Sequence, residues 1–412
     1  MKSSLNKRIA IGVLLGITAW IFLNVNKELF PSSHWIFYLC DLAGGIFINL
    51  LKMVLMPLIF LSITLGISNL KAQPNMHRIW KYTLIYFLVT TSLASFLGLL
   101  IVNIFKPGHG VQLEMFKETS AQLNVQNITL PQFIQSFFSE LFMNPFRAMA
   151  DGKIIPVIVF AVFLGIGLIS GGNKSQTVQK VFNELFDIIM RIVGWIMEIA
   201  PIGIMALLLK LTATQDVNLL FATGGFISVV AGGTLFHGIV TLPLVLYLIT
   251  RMTPVTFFSG MKESLLTAFS TSSSSATLPV TMQCVENNLR VEKEIYGFIL
   301  PLGATVNMDG TALYEAIAAI FVANVLGIDL NLLQQIIVFL MAILASIGAP
   351  GIPSAGMVTM LMVLQSVGLP TEAIVLLIPI DRFLDTIRTV VNVQGDAIGC
   401  VIVKHLLNKK PA

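Results

Sequence analysis

Asp381, Asp385, Arg388, Asn392 and Asp396 all stand inside residues 371–403, an apolar run long enough to cross a membrane. At about 100° per residue these five positions share one helical stripe roughly 80° wide, with Thr389 beside it. Ionisable side chains at membrane depth cost about 2.5–3.5 kcal/mol each on insertion scales. They therefore face a protein interior or a wet cavity, and usually mark an ion or substrate path. Three carboxylates against one arginine leave charge that something else must neutralise. The plainer reading is a self-paired Asp–Arg network that only joins helices.

Other residues suit the same chemistry. Asn307-Met308-Asp309-Gly310-Thr311 and Glu315 lie in the middle of the stretch 293–326. Gly310 beside Asp309 would let the helix unwind, adding backbone carbonyls to a carboxylate as ligands for a hard monovalent cation. Burial disfavours the charged form of a carboxylate without a fixed cation, so Glu315 could load and release a proton. The run Ser270-Thr271-Ser272-Ser273-Ser274-Ser275 and the segment 346–356, rich in Gly and Pro, supply further polar backbone. Alone, a serine run is as readily a flexible loop.

The elements that must position these groups follow from hydropathy. Of 412 residues, 56% are hydrophobic and only 11% charged, against about 25% charged in soluble domains. With a mean hydropathy of +0.86, the chain reads as an all-α polytopic membrane protein with no soluble domain. Candidate spans are 9–25, 37–69, 79–105, 154–170, 178–212 and 217–250. The first is read as a retained helix, for want of a small-residue cleavage site. Lysines and arginines collect in alternate loops, which places both termini in the cytoplasm and the long connection 106–153 outside. The net charge of +4 gives no indication of nucleic-acid binding. Cys40, Cys284 and Cys400 imply no disulfide framework. No histidine pattern suggests a metal, and His237 reads as a core histidine. Asp187 and Arg191, at i,i+4 spacing, read as a structural bridge.

After residue 255 the pattern changes. Residues 256–290 and 334–369 are apolar but interrupted at the serine run and at 346–356. Each half of the second has about 12 residues, or about 18 Å of helix, against a core of about 30 Å. Broken backbone at that depth is tolerated only inside protein or along a cavity. Both read as re-entrant hairpins, each followed by a helix with polar residues at mid-depth. The first enters from the cytoplasm and the second from outside, an inverted repeat that places a transport site at the midplane.

The segments 272–281 (SSSSATLPVT), 303–316 (GATVNMDGTALYEA), 351–360 (GIPSAGMVTM) and 381–396 (DRFLDTIRTVVNVQGD) closely resemble the dicarboxylate/amino acid:cation symporter family, which includes the excitatory amino acid (glutamate) transporters. They keep the family's order and spacing. The likeness is strongest over 255–405 and extends back to LKMVLMPLIF at 51–60. Inverted repeats are already described for an archaeal member. The resemblance implies eight transmembrane helices plus two re-entrant helical hairpins, in a homotrimer within the plasma (cell inner) membrane. Scaffold helices 1–2 would occupy 1–70, transport-domain helix 3 would occupy 71–105, and an extracellular loop with scaffold helices 4–5 would occupy 106–215. The rest of the transport domain would occupy 216–412.

For the site, the resemblance implies that Arg388 holds a substrate side-chain carboxylate and Asp385 the amino group. Asn392, Ser274 and the neighbouring tip residues Ser272 and Ser273 would hold the α-carboxylate. Thr311, Ile352, Pro353, Gly356 and Thr389 would complete the pocket, with the second hairpin as lid. One sodium would lie at Asp396, Asn392 and Asn307 with backbone near Gly303. A second would use backbone at Thr305 and Met308 and in the lid at Ser346, Ile347 and Ala349. A third would use Asp309, Asn307, Thr90 and Thr91. Glu315 matches members that co-transport a proton. Phe87 stands where some members have tyrosine, and Ser272 and Thr386 stand where members carry a second arginine.

The resulting expectation is a symporter, not an enzyme, for L-glutamate and/or L-aspartate with sodium and a proton. A C4-dicarboxylate:cation symporter of the same family is the alternative; those relatives share Asp-Arg-Phe here but do not usually keep an acid at Asp385. A membrane-embedded enzyme would need a histidine near Ser274 and Asp385, and the sequence puts none beside either segment. A passive channel is the remaining class.

Overall fold

In a computed structural model, residues 15, 18, 35–68, 76–110, 141–151, 154–212, 217–349, 351 and 353–408 are described. Those residues contain helices and no strand. The candidate first span, 9–25, lies outside them except for Leu15 and Thr18, as does most of the connection 106–153.

The order begins with α1 (Trp35–Ser68), α2 (Met76–Phe105), α3 (Pro145–Ala150), α4 (Ile154–Ser170) and α5 (Gln176–Thr212). It continues with α6 (Val217–Phe236), α7 (Leu242–Thr250), α8 (Pro254–Thr271), α9 (Ser274–Asn287), α10 (Lys293–Val306) and α11 (Asp309–Val325). The chain closes with α12 (Leu332–Gly348), α13 (Ala355–Ser366) and α14 (Ile378–Asn408). Among the described residues, four helical stretches are long and apolar enough to cross a membrane: Arg78–Phe105, Ala222–Thr250, Lys293–Val325 and Ile380–Asn408. α1 packs chiefly on α4 and α5, whereas α2 packs on α11, and α14 is surrounded by α6 to α11.

Local chemistry explains the two reversals. α8 starts at a Thr253 cap with Pro254 in its first turn and stops where Ser272 turns left-handed, at φ 50°. The Ser273 hydroxyl then accepts the Ala276 N–H and starts α9, as an N-cap serine does. The serine run is thus an ordered helix–turn–helix tip. In the second reversal, Asn331 and Gln334 form a capping box at the start of α12, and Ser354 is left-handed at φ 60° ahead of α13. α12 has 17 residues rather than about 12, yet its length of about 26 Å still falls short of a bilayer core.

Two sequence expectations need correction. The stretch 293–326 is two helices, broken at Asn307 (φ −116°, ψ 83°) and Met308 (φ −117°, ψ 69°). Gly310 is helical and not the cause of the break. A Cβ on it would lie 2.7 Å from the Arg388 carbonyl oxygen, so this glycine lets α11 lie against α14. The stretch 217–250 is helical throughout, as expected, and carries a π-helical turn at His237–Thr241. Asp187 and Arg191 form no ion pair among the described residues; both are exposed.

All residues of α11 except Asn324 are buried. A helix buried all round must be apolar or have its polar groups partnered. That condition defines the site.

Candidate functional site

The stripe on α14 points inward as one set: Asp381, Asp385, Arg388, Thr389, Asn392 and Asp396 are all buried. Arg388 donates from a single nitrogen, Nη2, to Asp381 Oδ1 at 2.6 Å and to Asp385 Oδ1 at 2.9 Å. Its guanidinium lies 4.0 Å over the Tyr314 ring, a cation–π contact available to arginine's flat face. The self-paired network considered as the plainer reading is therefore present, but incomplete. Arg388 Nε and Nη1 are buried without a hydrogen-bond partner, and so is Asp381 Oδ2. An unpartnered buried donor is costly, so the free edge marks where another acceptor fits. Gly356 faces that edge: a Cβ there would lie 3.1 Å from Arg388 Nη1 and 3.3 Å from Thr311 Cγ2.

Asp385 joins the stripe to the second hairpin. Its Oδ2 accepts the Ser354 backbone N–H at 2.8 Å and lies 3.4 Å from Arg382 Nη1. Arg382 supplies a second cation that the sequence reading overlooked, because it falls about 100° away from Asp381 on the helical wheel. The two hairpin tips also meet: Ser273 Oγ and the Ser275 N–H both donate to the Gly351 carbonyl, at 2.6 and 3.0 Å. Ser272 is buried with its hydroxyl unpartnered, and Ser274 opens α9, buried. Pro353 is half-buried; Ile352 lies outside the described residues.

The helix break collects oxygen atoms. Thr91 Oγ1 donates to Asp309 Oδ1 at 2.9 Å, and Thr90 Oγ1 lies 3.3 Å from the same oxygen. Both hydroxyls are within 3.5 Å of Asn307 Oδ1. On its other side Asn307 donates to Asp396 Oδ1 at 3.0 Å, and Gly303 packs directly on that carboxylate. Asn392 is turned away from Asp396: it accepts the Gly310 N–H at 2.8 Å and donates to Thr311 Oγ1 at 3.3 Å. Met308 packs with Ala349 and Ala355. The Thr305 and Ser346 hydroxyls bond back to Leu302 and Ile343 of their own helices, and Ile347 is half-buried.

Glu315 is fully buried. Thr359 donates to its Oε1 at 2.5 Å, and Oε2 has no partner. Two residues near this site were missed in the sequence. The fold brings His237 to Asp309, with Nε2 3.3 Å from Oδ2, although the sequence showed no histidine near either segment. Tyr86 donates to the Gly395 carbonyl at 2.9 Å; the position before Phe87, not Phe87, carries the hydroxyl.

A sequence profile described as the sodium:dicarboxylate symporter family matches residues 5–406. The chain is 36% identical to excitatory amino acid transporter 1 of Ambystoma tigrinum, over 97% of this chain and 81% of that protein. It is 35% identical to excitatory amino acid transporter 3 of Homo sapiens, over 97% of this chain and 84% of that protein. Against excitatory amino acid transporter 2 of Mus musculus it is 35% identical, over 96% and 77%.

Proposed function

This chain belongs to the sodium:dicarboxylate symporter family, and from that premise we propose a secondary active symporter that takes up L-glutamate and/or L-aspartate with sodium by alternating access. The observation that carries the reading is the free Nε and Nη1 edge of Arg388, buried beside Gly356. A substrate side-chain carboxylate would dock there through charge-assisted bonds. Asp385 would then pass from Arg388 to the substrate's ammonium group, so that each ion pair broken is replaced by another. A C4-dicarboxylate brings no cation, and would leave Asp385 buried beside added negative charge. That difference favours an acidic amino acid over the dicarboxylate alternative.

Asn392 with Ser272, Ser273 and Ser274 would hold the α-carboxylate, and Thr311, Ile352, Pro353, Gly356 and Thr389 would shape the pocket. Sodium travels as cargo. Asp309, Asn307, Thr90 and Thr91 offer it hard oxygen donors at one point; at a second, Asp396 and the backbone at Gly303 would be joined by Asn307 and Asn392 once those side chains turn their oxygens from their present partners. Thr305, Met308, Ser346, Ile347 and Ala349 would contribute backbone to a third as the lid closes. Glu315 would carry a co-transported proton.

The protein is an integral membrane protein, and its family and matched relatives are transporters. We place it in the plasma (cell inner) membrane with both termini cytoplasmic. We read eight membrane helices and two re-entrant hairpins, assembled as a homotrimer, with the moving domain at 71–105 and 216–412. The packing of α1, closest with α4 and α5 and thinner against the site helices α10, α12 and α13, supports that division.

Uptake into proteoliposomes tests the proposal, with sodium, proton and potassium gradients imposed one at a time. Aspartate should accumulate against its gradient only when sodium is imposed. Succinate competing better than aspartate would overturn the amino-acid assignment.

A further inference from the structure

The π-helical turn His237–Thr241 places a histidine against the cation oxygens, and its cause lies in the sequence. The Leu242 N–H bonds back to the His237 carbonyl, five residues earlier. That removes the N–H which the Gly238 carbonyl would accept in an α-helix. The next donor in the wider register would be residue 243, which is Pro243 and has no N–H. The Gly238 carbonyl is therefore free of the helix ladder, and Gln394 Nε2 donates to it at 2.6 Å. Gln394 sits on α14 between Asn392 and Asp396. Gly238 also needs to be a glycine: a Cβ there would lie 2.9 Å from Val391 Cγ2 and 3.2 Å from Gln394 Oε1. π-turns inside α-helices concentrate at functional sites, and this one is fastened to the helix that carries the site.

The same turn aims His237 at Asp309. Both side chains are fully buried and Nε2 lies 3.3 Å from Oδ2. An ionised carboxylate can only accept, so with Asp309 as the anion this bond requires the tautomer that carries its hydrogen on Nε2. Asp309 is thereby held from two sides: His237 takes Oδ2, while Thr90 and Thr91 lie on Oδ1. A carboxylate fixed through one oxygen presents the other in a constant direction.

We propose that His237 is a positioning residue for the cation site at Asp309, orienting that carboxylate so that Oδ1 faces Thr90, Thr91 and Asn307 for sodium. The π-turn, Pro243 and the Gly238–Gln394 bond set the height of the imidazole. The proposal rests on the reading of Asp309 as a sodium ligand. Partners that orient a metal-bound group change metal affinity roughly 10–100-fold when removed, and a weakly held monovalent ion belongs at the lower end.

The test compares His237→Gln with His237→Asn in the full chain. The two differ by one methylene, and only glutamine puts its amide nitrogen where Nε2 stands. Sodium half-saturation of aspartate uptake is measured in proteoliposomes, alongside the aspartate KM at saturating sodium. His237→Asn should raise the sodium half-saturation about tenfold with little change in KM at saturating sodium, and His237→Gln should restore it to within about threefold. Equal sodium half-saturations in the two variants, or a His237→Asn loss confined to KM or to protein abundance, overturn the proposal. Thr91→Val separates the two levels. If it shifts the sodium half-saturation and His237→Asn does not, only the role of His237 fails. If neither variant shifts it, the cation reading of Asp309 fails as well.

Discussion

Arg388 and Glu315 are both buried on facing helices, and each keeps part of its hydrogen-bonding capacity unused. Asp381, which the sequence left without a role, is the partner that Arg388 keeps at 2.6 Å. If Asp385 turns to a substrate's ammonium group, Asp381 remains to compensate the guanidinium, which would otherwise be a buried charge held by substrate alone. Glu315 has no such partner: its contact is a hydroxyl, Thr359. As the proton carrier proposed above, Glu315 would be loaded where the site opens to substrate. A proton would then enter with substrate and leave on the other side. The sign follows: uptake should rise as external pH falls, because loading needs the proton. Glu315→Gln holds the neutral form permanently, so sodium-driven uptake should persist with a flat pH profile. An unaltered pH profile in that variant would remove Glu315 from the proton path.

At the scale of elements, the decisive feature is the crossing of α11 and α14 beside the break at Asn307 and Met308. Gly310 brings the two helices so close that its N–H reaches Asn392 Oδ1 at 2.8 Å. A Cβ there would meet the backbone of Arg388, at 2.7 Å from its oxygen and 2.9 Å from its Cα, atoms that cannot swing aside. Gly310→Ala should therefore destabilise by about 1–3 kcal/mol, as overpacking typically does. It should also depress uptake beyond the fall in protein abundance, by pushing Asn392 off its donor. Gly297→Ala in α10, where nothing lies within 4 Å of the added carbon, is the matched control and should leave thermal stability and uptake intact. Similar losses in both variants would show that the close approach is not the reason. This crossing also marks what a sequence reveals. The stripe on α14, the two interrupted segments and the Asn307–Thr311 cluster were legible because period, polarity and breaker residues act locally. The contacts of His237, Tyr86 and Gln394 were not, since each joins helices more than 70 residues apart. The location of the break was misplaced for a similar reason: glycine has two uses, an unusual dihedral or a close approach, and only the packed neighbour tells which one applies.

Across the whole molecule, the residues proposed to hold substrate and those proposed to hold cations share the same pieces of backbone. Asn392 bonds to the break at Gly310 and to Thr311, while Asn307, two residues before Asp309, bonds to Asp396. The second hairpin is tied to both sides, through Ser354 on Asp385 and Gly351 on the serine tip. A sodium ion that ordered Asn307, Asp309 and Asp396 would therefore also fix the helix faces that present Thr311, Asn392 and Arg388. Substrate that drew the second hairpin shut would in turn enclose those oxygens. Two ligands that order one set of groups are coupled, and the coupling is reciprocal in free energy. Aspartate binding to the purified full chain should tighten about tenfold or more between sodium-free and sodium-saturated buffer, or about 1.4 kcal/mol or more, within the usual range for linked sites. Sodium affinity should rise by the same factor when aspartate is saturating. Calorimetric titration of each ligand with and without the other measures both legs of the cycle, with choline replacing sodium at constant ionic strength. Aspartate affinity that is indifferent to sodium would mean that the shared backbone does not link the two sites, and that ion coupling must arise elsewhere in the transport cycle.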